Sequence, residues 1–125
     1  MADSTYTPTE VARTKTSGEL VGIFTVVFSA GDYVAGGLLP AVTFSQVVGF
    51  TPRKPIWVEI KGNNGYYYEF VYATQKIMIR AQTNAAAEDA PLGELAVAAL
   101  PEGVTLDLVR VRVAYIATRQ LMPNS

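Results

Sequence analysis

The chain of 125 residues is 50% hydrophobic and 17% charged, and its 10 basic and 11 acidic side chains leave a formal net charge of −1. This composition is typical of one globular domain and excludes a disordered chain and a coiled coil. The chain contains no Cys and no His, which excludes disulfides, thiol nucleophiles, imidazole bases and most transition-metal sites. The balanced charge and the lack of a long apolar run predict that neither nucleic acid nor a membrane is a partner.

Residues 1–19 hold only scattered apolar positions and five threonines. Such a segment does not bury enough surface to fold alone, so we expect an extended N-terminal arm ahead of a single domain over residues 20–125. The arm is interpreted either as a frayed terminus or as a segment that becomes ordered across a neighbouring subunit. It lacks the charged start and apolar segment of a signal peptide, which favours synthesis in the cytoplasm without export.

The run LVGIFTVVFS over residues 20–29 predicts a β-strand that is apolar on both alternating faces. The apolar side chains of the two faces are Leu20, Phe24, Val26 and Phe28 on one, and Val21, Ile23 and Val27 on the other. Such a strand is covered twice, by its own core and by something else. Residues 30–40 follow as a turn-rich loop, and residues 41–50 fit a short helix or a short strand equally well.

Residues 56–82 predict a three-stranded meander whose first turn is Asn63-Asn64-Gly65. We expect a three-residue turn with Gly65 in the left-handed conformation, because this register gives the first two strands one consistently apolar face. The opposed pairs on that face are then Ile56 with Tyr72, Val58 with Phe70, and Ile60 with Tyr68. The same register opposes Glu59 to Glu69, which repel each other.

The second turn of the meander, around Thr74 and Gln75, is expected to oppose Tyr72 to Ile77, Phe70 to Ile79 and Tyr68 to Ala81. In this arrangement Arg80 lies beside Glu69 as an exposed ion pair. The inward side chains then include Tyr68, Phe70 and Tyr72, which leaves Trp57 and Tyr67 as candidate exposed aromatic contacts.

The C-terminal third begins with residues 83–90, which are small and polar and predict a loop. Residues 92–100 have a composition that favours a helix, although nine residues form a stable helix only with tertiary support. Residues 106–118 show the strongest alternation in the chain and predict a β-strand. Its two faces hold Val109, Val111, Val113 and Tyr115, against Arg110, Arg112, Ala114 and Ile116.

These elements predict an all-β fold, a jelly-roll-like antiparallel β-sandwich or flattened barrel with long loops and at most one or two short helices. No catalytic, cofactor-binding or metal-ligating group is predicted, and no small-molecule substrate. No serine has a histidine to activate it, the acids form no alternating calcium loop, and the glycines form no phosphate-binding loop. Glu59 and Glu69 are interpreted as surface charges and not as a catalytic pair.

The surplus of apolar strand surface indicates a second buried surface between chains, and hence a symmetric homo-oligomer. The candidate subunit interface consists of Val21, Ile23, Phe24, Val27, Arg110, Arg112 and Ile116. Of these we expect Phe24, Ile116 and at least one of the β-branched residues of the first strand to be partly covered by another chain. The two arginines are either a solvated face or partners of acids on a neighbouring subunit.

One family shares this order of elements: the twofold-apolar first strand, the loop GDYVAGGLLPAVTF, the hairpin GYYYEFVYATQKIMI, the turn PEGVTLD and the final strand LVRVRVAYIA. Over residues 20–117 the chain resembles the small head decoration, or cement, proteins of tailed bacteriophages. The resemblance implies a non-enzymatic virion protein on the exterior of the phage head. Such a protein trimerises, bridges neighbouring major capsid proteins and stabilises the shell, and its N-terminal arm reaches onto the capsid.

Two alternatives stay open from the sequence. The first is a carbohydrate-binding β-sandwich that uses Trp57 and the tyrosines of the hairpin as stacking surfaces. The second is a tail or neck component of a virion, which shares every physical feature of a head protein.

Overall fold

The structure, a computed structural model, describes residues 2–15, 18–49, 55–81 and 93–116. The elements within these ranges, in chain order, are β1 (Tyr6–Lys15), β2 (Glu19–Phe28), α1 (Phe44–Val48), β3 (Trp57–Lys61), β4 (Tyr67–Val71), β5 (Lys76–Ala81), β6 (Gly93–Glu94), α2 (Glu102–Thr105) and β7 (Val109–Ile116). The strands form two antiparallel sheets, ordered β1-β2-β7-β3 and β4-β5-β6, here called the first and the second sheet. The predicted all-β antiparallel sandwich with at most two short helices is confirmed. The loop predicted over 83–90 and the chain beyond 116 lie outside the described residues.

The core lies between the two sheets, because alternate side chains of each strand point inward. Of the two apolar faces predicted for strand 20–29, the one that is buried holds Leu20, Phe24, Val26 and Phe28. In strand 106–118 the predicted buried face is confirmed, with Val109, Val111, Val113 and Tyr115. Aromatic contacts join the sheets directly, since the Phe28 ring stacks on that of Tyr68 with centroids 5.5 Å apart. Helix α1 adds Phe44, whose ring meets that of Phe24 edge-on at 4.9 Å.

The N-terminal segment differs from the expected arm, because Tyr6–Lys15 is a strand of the first sheet and pairs with β2. Its first half alternates, with Tyr6 fully buried and Thr7 exposed. The Tyr6 hydroxyl also donates a 2.7 Å hydrogen bond to the carbonyl of Gln75 in the β4–β5 turn. Composition alone did not predict this strand. One buried aromatic side chain and a ladder of backbone hydrogen bonds are enough to hold a segment that has an adjacent strand to pair with.

The predicted hairpin between β3 and β4 is wrong, although Gly65 has the expected left-handed conformation with φ of 86°. Strand β3 pairs with β7, and the turn carries the chain from the first sheet to the second. Glu59 therefore lies opposite Arg112 and not opposite Glu69. The turn approaches the core closely, since a Cβ on Gly62 would collide with the Asp107 carboxylate and the Tyr68 ring.

The pairing of β4 with β5 is confirmed, but its register is two residues away from the prediction. Phe70 lies opposite Ile77, and Tyr68 lies opposite Ile79. The turn begins earlier than expected because the Gln75 N–H bonds to the Val71 carbonyl at 2.7 Å. A shift of two residues leaves every side chain on its predicted face, so Arg80 still reaches Glu69 at 3.2 Å as predicted.

The structure decides the secondary structure of residues 41–50, which fitted a helix or a strand, and of the described part of 92–100, which was expected to be helical. Residues 44–48 form α1, which begins at a Thr43–Gln46 capping box. Residues 93–100 hold only the two-residue strand β6 and irregular chain, so the helix favoured over 92–100 is wrong where the structure describes it. The chain becomes helical only after Pro101, in α2. Neither of the two described helices is long and apolar enough to cross a bilayer.

Candidate functional site

The candidate site is the outer face of the first sheet, the side that turns away from the core. Its strand pairing fixes which side chains are neighbours, because residues opposed in an antiparallel ladder lie on the same face. The rows that cross from β2 through β7 to β3 are Val21, Ala114 and Trp57; then Ile23, Arg112 and Glu59; then Thr25, Arg110 and Lys61. We call this set, together with Val27 of β2 and Ile116 of β7, which point to the same side, the outer face.

One end of the outer face is apolar. Trp57 is 54% exposed although it lies in a β-strand, and its row neighbour Ala114 is buried at 3% exposure. Val21 and Ile23 are half-buried along the same strand, and Ile116, at the end of β7, is 36% exposed. Large apolar side chains held on paired strands form a firm surface, since their backbones cannot move to hide them.

The middle of the outer face carries an ion pair. Arg112 Nη1 lies 3.2 Å from Glu59 Oε1, and the same carboxylate oxygen accepts a 2.8 Å hydrogen bond from Trp57 Nε1. The Trp57 ring is thereby fixed to Glu59, two residues further along the same strand. An open groove of about 440 Å³ runs alongside, bounded by Ile23 on one side and Lys61 on the other.

The predicted interface residues divide between the two sides of the sheet. Those on the outer side, fully or partly open to solvent, are Val21, Ile23, Val27, Arg110, Arg112 and Ile116. Phe24 does not belong with them: its exposure is 0%, and its ring contacts Phe44 of its own chain. The prediction that another chain covers Phe24 is wrong, because the residue has the inward parity of β2.

The two predicted aromatic contacts are both exposed but lie on different sheets. Trp57 is on β3 of the first sheet, whereas Tyr67, 52% exposed, is on β4 of the second. Tyr72 was expected in the core and is instead 45% exposed, with its hydroxyl accepting a 2.9 Å hydrogen bond from the Val58 N–H. Tyr72 lies in the turn just after β4, at the edge of the core, where its ring meets that of Phe70 edge-on at 5.2 Å and is half exposed.

A second groove, of about 400 Å³, lies where β3 and β4 face each other without pairing. Tyr67 and Tyr72 are its exposed aromatic residues, with the buried Tyr68 and Phe70 behind them, and Glu59 and Glu69 supply its carboxylates. Both carboxylates are already engaged, Glu59 by Arg112 and Glu69 by Arg80. Trp57 does not line this groove, so the aromatic residues of the carbohydrate hypothesis do not form one platform.

The buried polar groups form structural links. Asp107, 7% exposed, accepts 2.7 Å and 2.8 Å hydrogen bonds from the Tyr68 hydroxyl and the Asn63 N–H. Burial, together with the bond to Asp107, raises the pKa of Tyr68. Burial likewise raises the pKa of Tyr33, whose hydroxyl donates to Glu94 at 2.5 Å. These bonds tie loops to sheets and leave neither carboxylate positioned for proton transfer in a cleft.

Sequence reasoning missed Lys61 as part of the outer face. Its alternation with Trp57 and Glu59 was visible, but the assignment of β3 to the wrong partner strand hid which residues these three oppose. Within 2–15, 18–49, 55–81 and 93–116, no three acidic or other ligating side chains come together as a metal site requires. No family model, curated protein or solved structure matches the chain.

Proposed function

We propose that this protein is a structural subunit that assembles through the outer face of its first sheet, with no catalytic role of its own. The observation that carries the proposal is the outer face itself. Paired strands there hold Trp57 and Ile116 in solvent, on the same side of the sheet as the half-buried Ile23. A monomer gains nothing from this arrangement, whereas a subunit gains the burial of that surface on assembly.

The outer face with its adjoining loops is large enough for such a contact. The four strands have 10, 10, 8 and 5 residues, which at about 3.3 Å per residue and a spacing of about 4.8 Å give a projected area on the order of 500 Å². A standard interface buries roughly 800 Å² on each partner. Side-chain relief and the adjoining loops add to the projected area and bring the surface close to that size.

We further propose that the assembly is a tailed-phage head, with this chain as a decoration protein on its exterior. The support is the resemblance of residues 20–117 to that family together with the compact β-sandwich, which suits a subunit bound to a shell. In this proposal the chain forms homotrimers and bridges neighbouring major capsid proteins. β1 cannot leave β2 without exposing Tyr6, so capsid contact by the N-terminus is assigned to the residues ahead of that strand.

The oligomer part of the proposal is tested by light scattering on the purified protein. Ile23→Asp places a carboxylate in the centre of the outer face, and we expect it to convert the oligomer into a monomer. The matched control is Met78→Asp, which changes a half-buried outward residue on the central strand of the second sheet. A wild-type protein that is monomeric at micromolar concentration, or two variants that behave alike, would contradict the proposal.

The virion part is tested by sedimentation with expanded phage heads. We expect the wild-type protein to sediment with the heads and Met78→Asp to do the same. Cryo-electron microscopy of particles then separates a head protein from a tail or neck protein, since it shows where the density lies. Failure to bind heads, with the oligomer intact, would retire the capsid role and leave the assembly surface standing.

The carbohydrate hypothesis keeps one observation in its favour, the groove between β3 and β4 with Tyr67 and Tyr72 on its walls. A glycan-array signal that disappears on Tyr67→Ala but survives Trp57→Ala would support it. No signal from any glycan would retire it.

A further inference from the structure

Two like charges oppose each other on the outer face. Lys61 of β3 and Arg110 of β7 are direct partners in the ladder, and both side chains are exposed. Within the part of the chain that the structure describes, neither side chain makes an ion pair or a hydrogen bond. The next row of the same two strands shows the opposite arrangement, since Glu59 and Arg112 form a 3.2 Å ion pair.

This opposition destabilises the folded chain. Side chains directly opposite in an antiparallel pair have Cβ atoms about 5 Å apart, and like charges there repel. A carboxylate at either position would turn the repulsion into an attraction, as it does one row away in Glu59 and Arg112. Local conflicts that a single substitution would relieve concentrate at functional sites, where the cost is offset by binding.

The surroundings of the two cations form a shaped surface. The groove of about 440 Å³ and a second depression of about 280 Å³ both include Lys61 and Arg110 in their walls. Asn63 and Leu108 complete the second depression, and Ile23 borders the first. With Arg112 and Glu59, the four charges of these two rows sum to +2 on a chain whose net charge is −1.

We propose that Lys61 and Arg110 together bind carboxylates of an acidic segment of a protein partner. This inference rests on the proposed function, because it names the partner chemistry of one end of the same outer face. The Arg110 guanidinium offers a planar fork that matches a carboxylate, and the Lys61 ammonium adds a point charge beside it.

A protein segment fits this surface better than a nucleic acid does. Nucleic-acid binding depends on many phosphate contacts and on stacking surfaces beside them. The basic end of the outer face offers two free cations, and its two depressions are lined by aliphatic and polar side chains such as Ile23, Leu108 and Asn63, with no aromatic residue among the described lining. Apolar side chains flanking a small charged centre are typical of a protein interface.

Fluorescence anisotropy with a labelled oligoglutamate peptide tests the binding. We expect the wild-type protein to bind the probe in a salt-sensitive manner. Lys61→Gln and Arg110→Gln should each weaken binding by about 10-fold, the effect of losing one charged contact worth about 1.4 kcal/mol. The matched control is Lys15→Gln, which removes an exposed charge at the far end of β1 and should change binding less than 2-fold.

The variant Lys61→Glu separates this proposal from a merely solvated pair of cations. It creates a cross-strand ion pair with Arg110, so the Tm should rise by about 1–4 °C while oligoglutamate binding is lost. A variant that loses binding because it unfolds would show a lower Tm instead. Loss of binding with a gain of stability is therefore the expected signature.

Three results would overturn the inference: no binding of oligoglutamate, equal weakening by Lys15→Gln, or tighter binding of a single-stranded oligodeoxynucleotide than of oligoglutamate. Light scattering on the same samples keeps the two proposals apart. A protein that forms the oligomer but ignores oligoglutamate contradicts only the acidic partner. A monomer that binds oligoglutamate contradicts only the self-assembly.

Discussion

The outer faces of the two sheets differ in how their charges and apolar groups are compensated. On the second sheet Glu69 meets Arg80 at 3.2 Å, and Arg80 in turn lies opposite Glu94. On the first sheet Lys61 and Arg110 oppose each other without a carboxylate between them, and Trp57 adds an exposed apolar ring. The same core thus carries one sheet whose outward Arg80 is paired with a carboxylate and one sheet that also has an opposed, uncompensated pair of cations.

The inner faces do not show this difference, because each sheet supplies a phenol that bonds outside its own sheet. Tyr6 of β1 donates to the Gln75 carbonyl in the second sheet's turn. Tyr68 of β4 donates to Asp107, which lies two residues before β7 of the first sheet. The sandwich is therefore cross-linked by buried hydroxyls as well as by apolar contacts.

The largest expected effect is alkaline unfolding, caused by ionisation of the buried tyrosine hydroxyls. Burial raises the pKa of Tyr6, Tyr33, Tyr68 and Tyr115 above the ordinary value of about 10. Their contribution to stability is fully present below about pH 10 and is lost as the pH rises further, because the unfolded chain then releases protons that the folded chain retains. Urea unfolding at several pH values should show stability falling steeply above pH 10. Unchanged stability at pH 11 would contradict the buried phenols.

The second effect separates the two sides of β2. Phe24→Ala removes a fully buried ring and should lower the free energy of unfolding by about 3–5 kcal/mol. Ile23→Ala, one residue away on the outer face, should cost less than about 1.5 kcal/mol in the monomer because its side chain is only half-buried. Chemical denaturation of both variants at a concentration that favours the monomer checks the difference. Equal losses would mean that β2 is buried on both sides within one chain.

The third effect isolates the bond between Tyr68 and Asp107. Tyr68→Phe keeps the ring stacked on Phe28 but leaves one carboxylate oxygen of Asp107 without its donor, which should cost about 1–3 kcal/mol. Tyr67→Phe is the matched control, since its exposed hydroxyl has water as an alternative partner, and it should change stability by less than about 0.5 kcal/mol. Thermal unfolding of the two variants distinguishes them, and a loss that is the same in both would refute the buried bond.

The smallest effect concerns the outward side of the second sheet, where Glu69 pairs with Arg80. Glu69→Gln breaks the exposed pair with Arg80 and should cost about 0.2–1 kcal/mol, an amount that shrinks as salt is added. Lys61→Gln on the other sheet removes a repulsion and should give a small change of the opposite sign. Parallel urea titrations at low and high salt measure both. A stabilising Glu69→Gln would mean that the second sheet is no better compensated than the first.

Much of the fold follows from local patterns. The alternation of β7 and the twofold-apolar run of β2 were enough to predict both strands and which side chains share a face, because the side-chain period of a strand is two. The outer-face residues Ile23, Arg112 and Ile116 follow from the same parity.

The pairing of strands required information that local patterns do not carry. The turn at Asn63–Gly65 looks like a hairpin in sequence, but β3 pairs with β7, which places Glu59 beside Arg112, about fifty residues away in the chain. Likewise β1 has too few apolar residues to predict a strand, and only the presence of β2 beside it explains why Tyr6 is buried. The pairing of these strands depends on residues far away in the chain. For the same reason the sequence did not predict that Lys61 lies beside Arg110 in the candidate site.

We propose that the protein assembles through the outer face of its first sheet. Trp57 and Tyr67 allow a direct test, because the two aromatic side chains are 54% and 52% exposed and lie on opposite sheets. Sedimentation velocity over a concentration series should show that Trp57→Ala weakens self-association by about 10-fold or more, whereas Tyr67→Ala leaves it within about 2-fold. Equal effects of the two substitutions, or a larger effect of Tyr67→Ala, would contradict the claim.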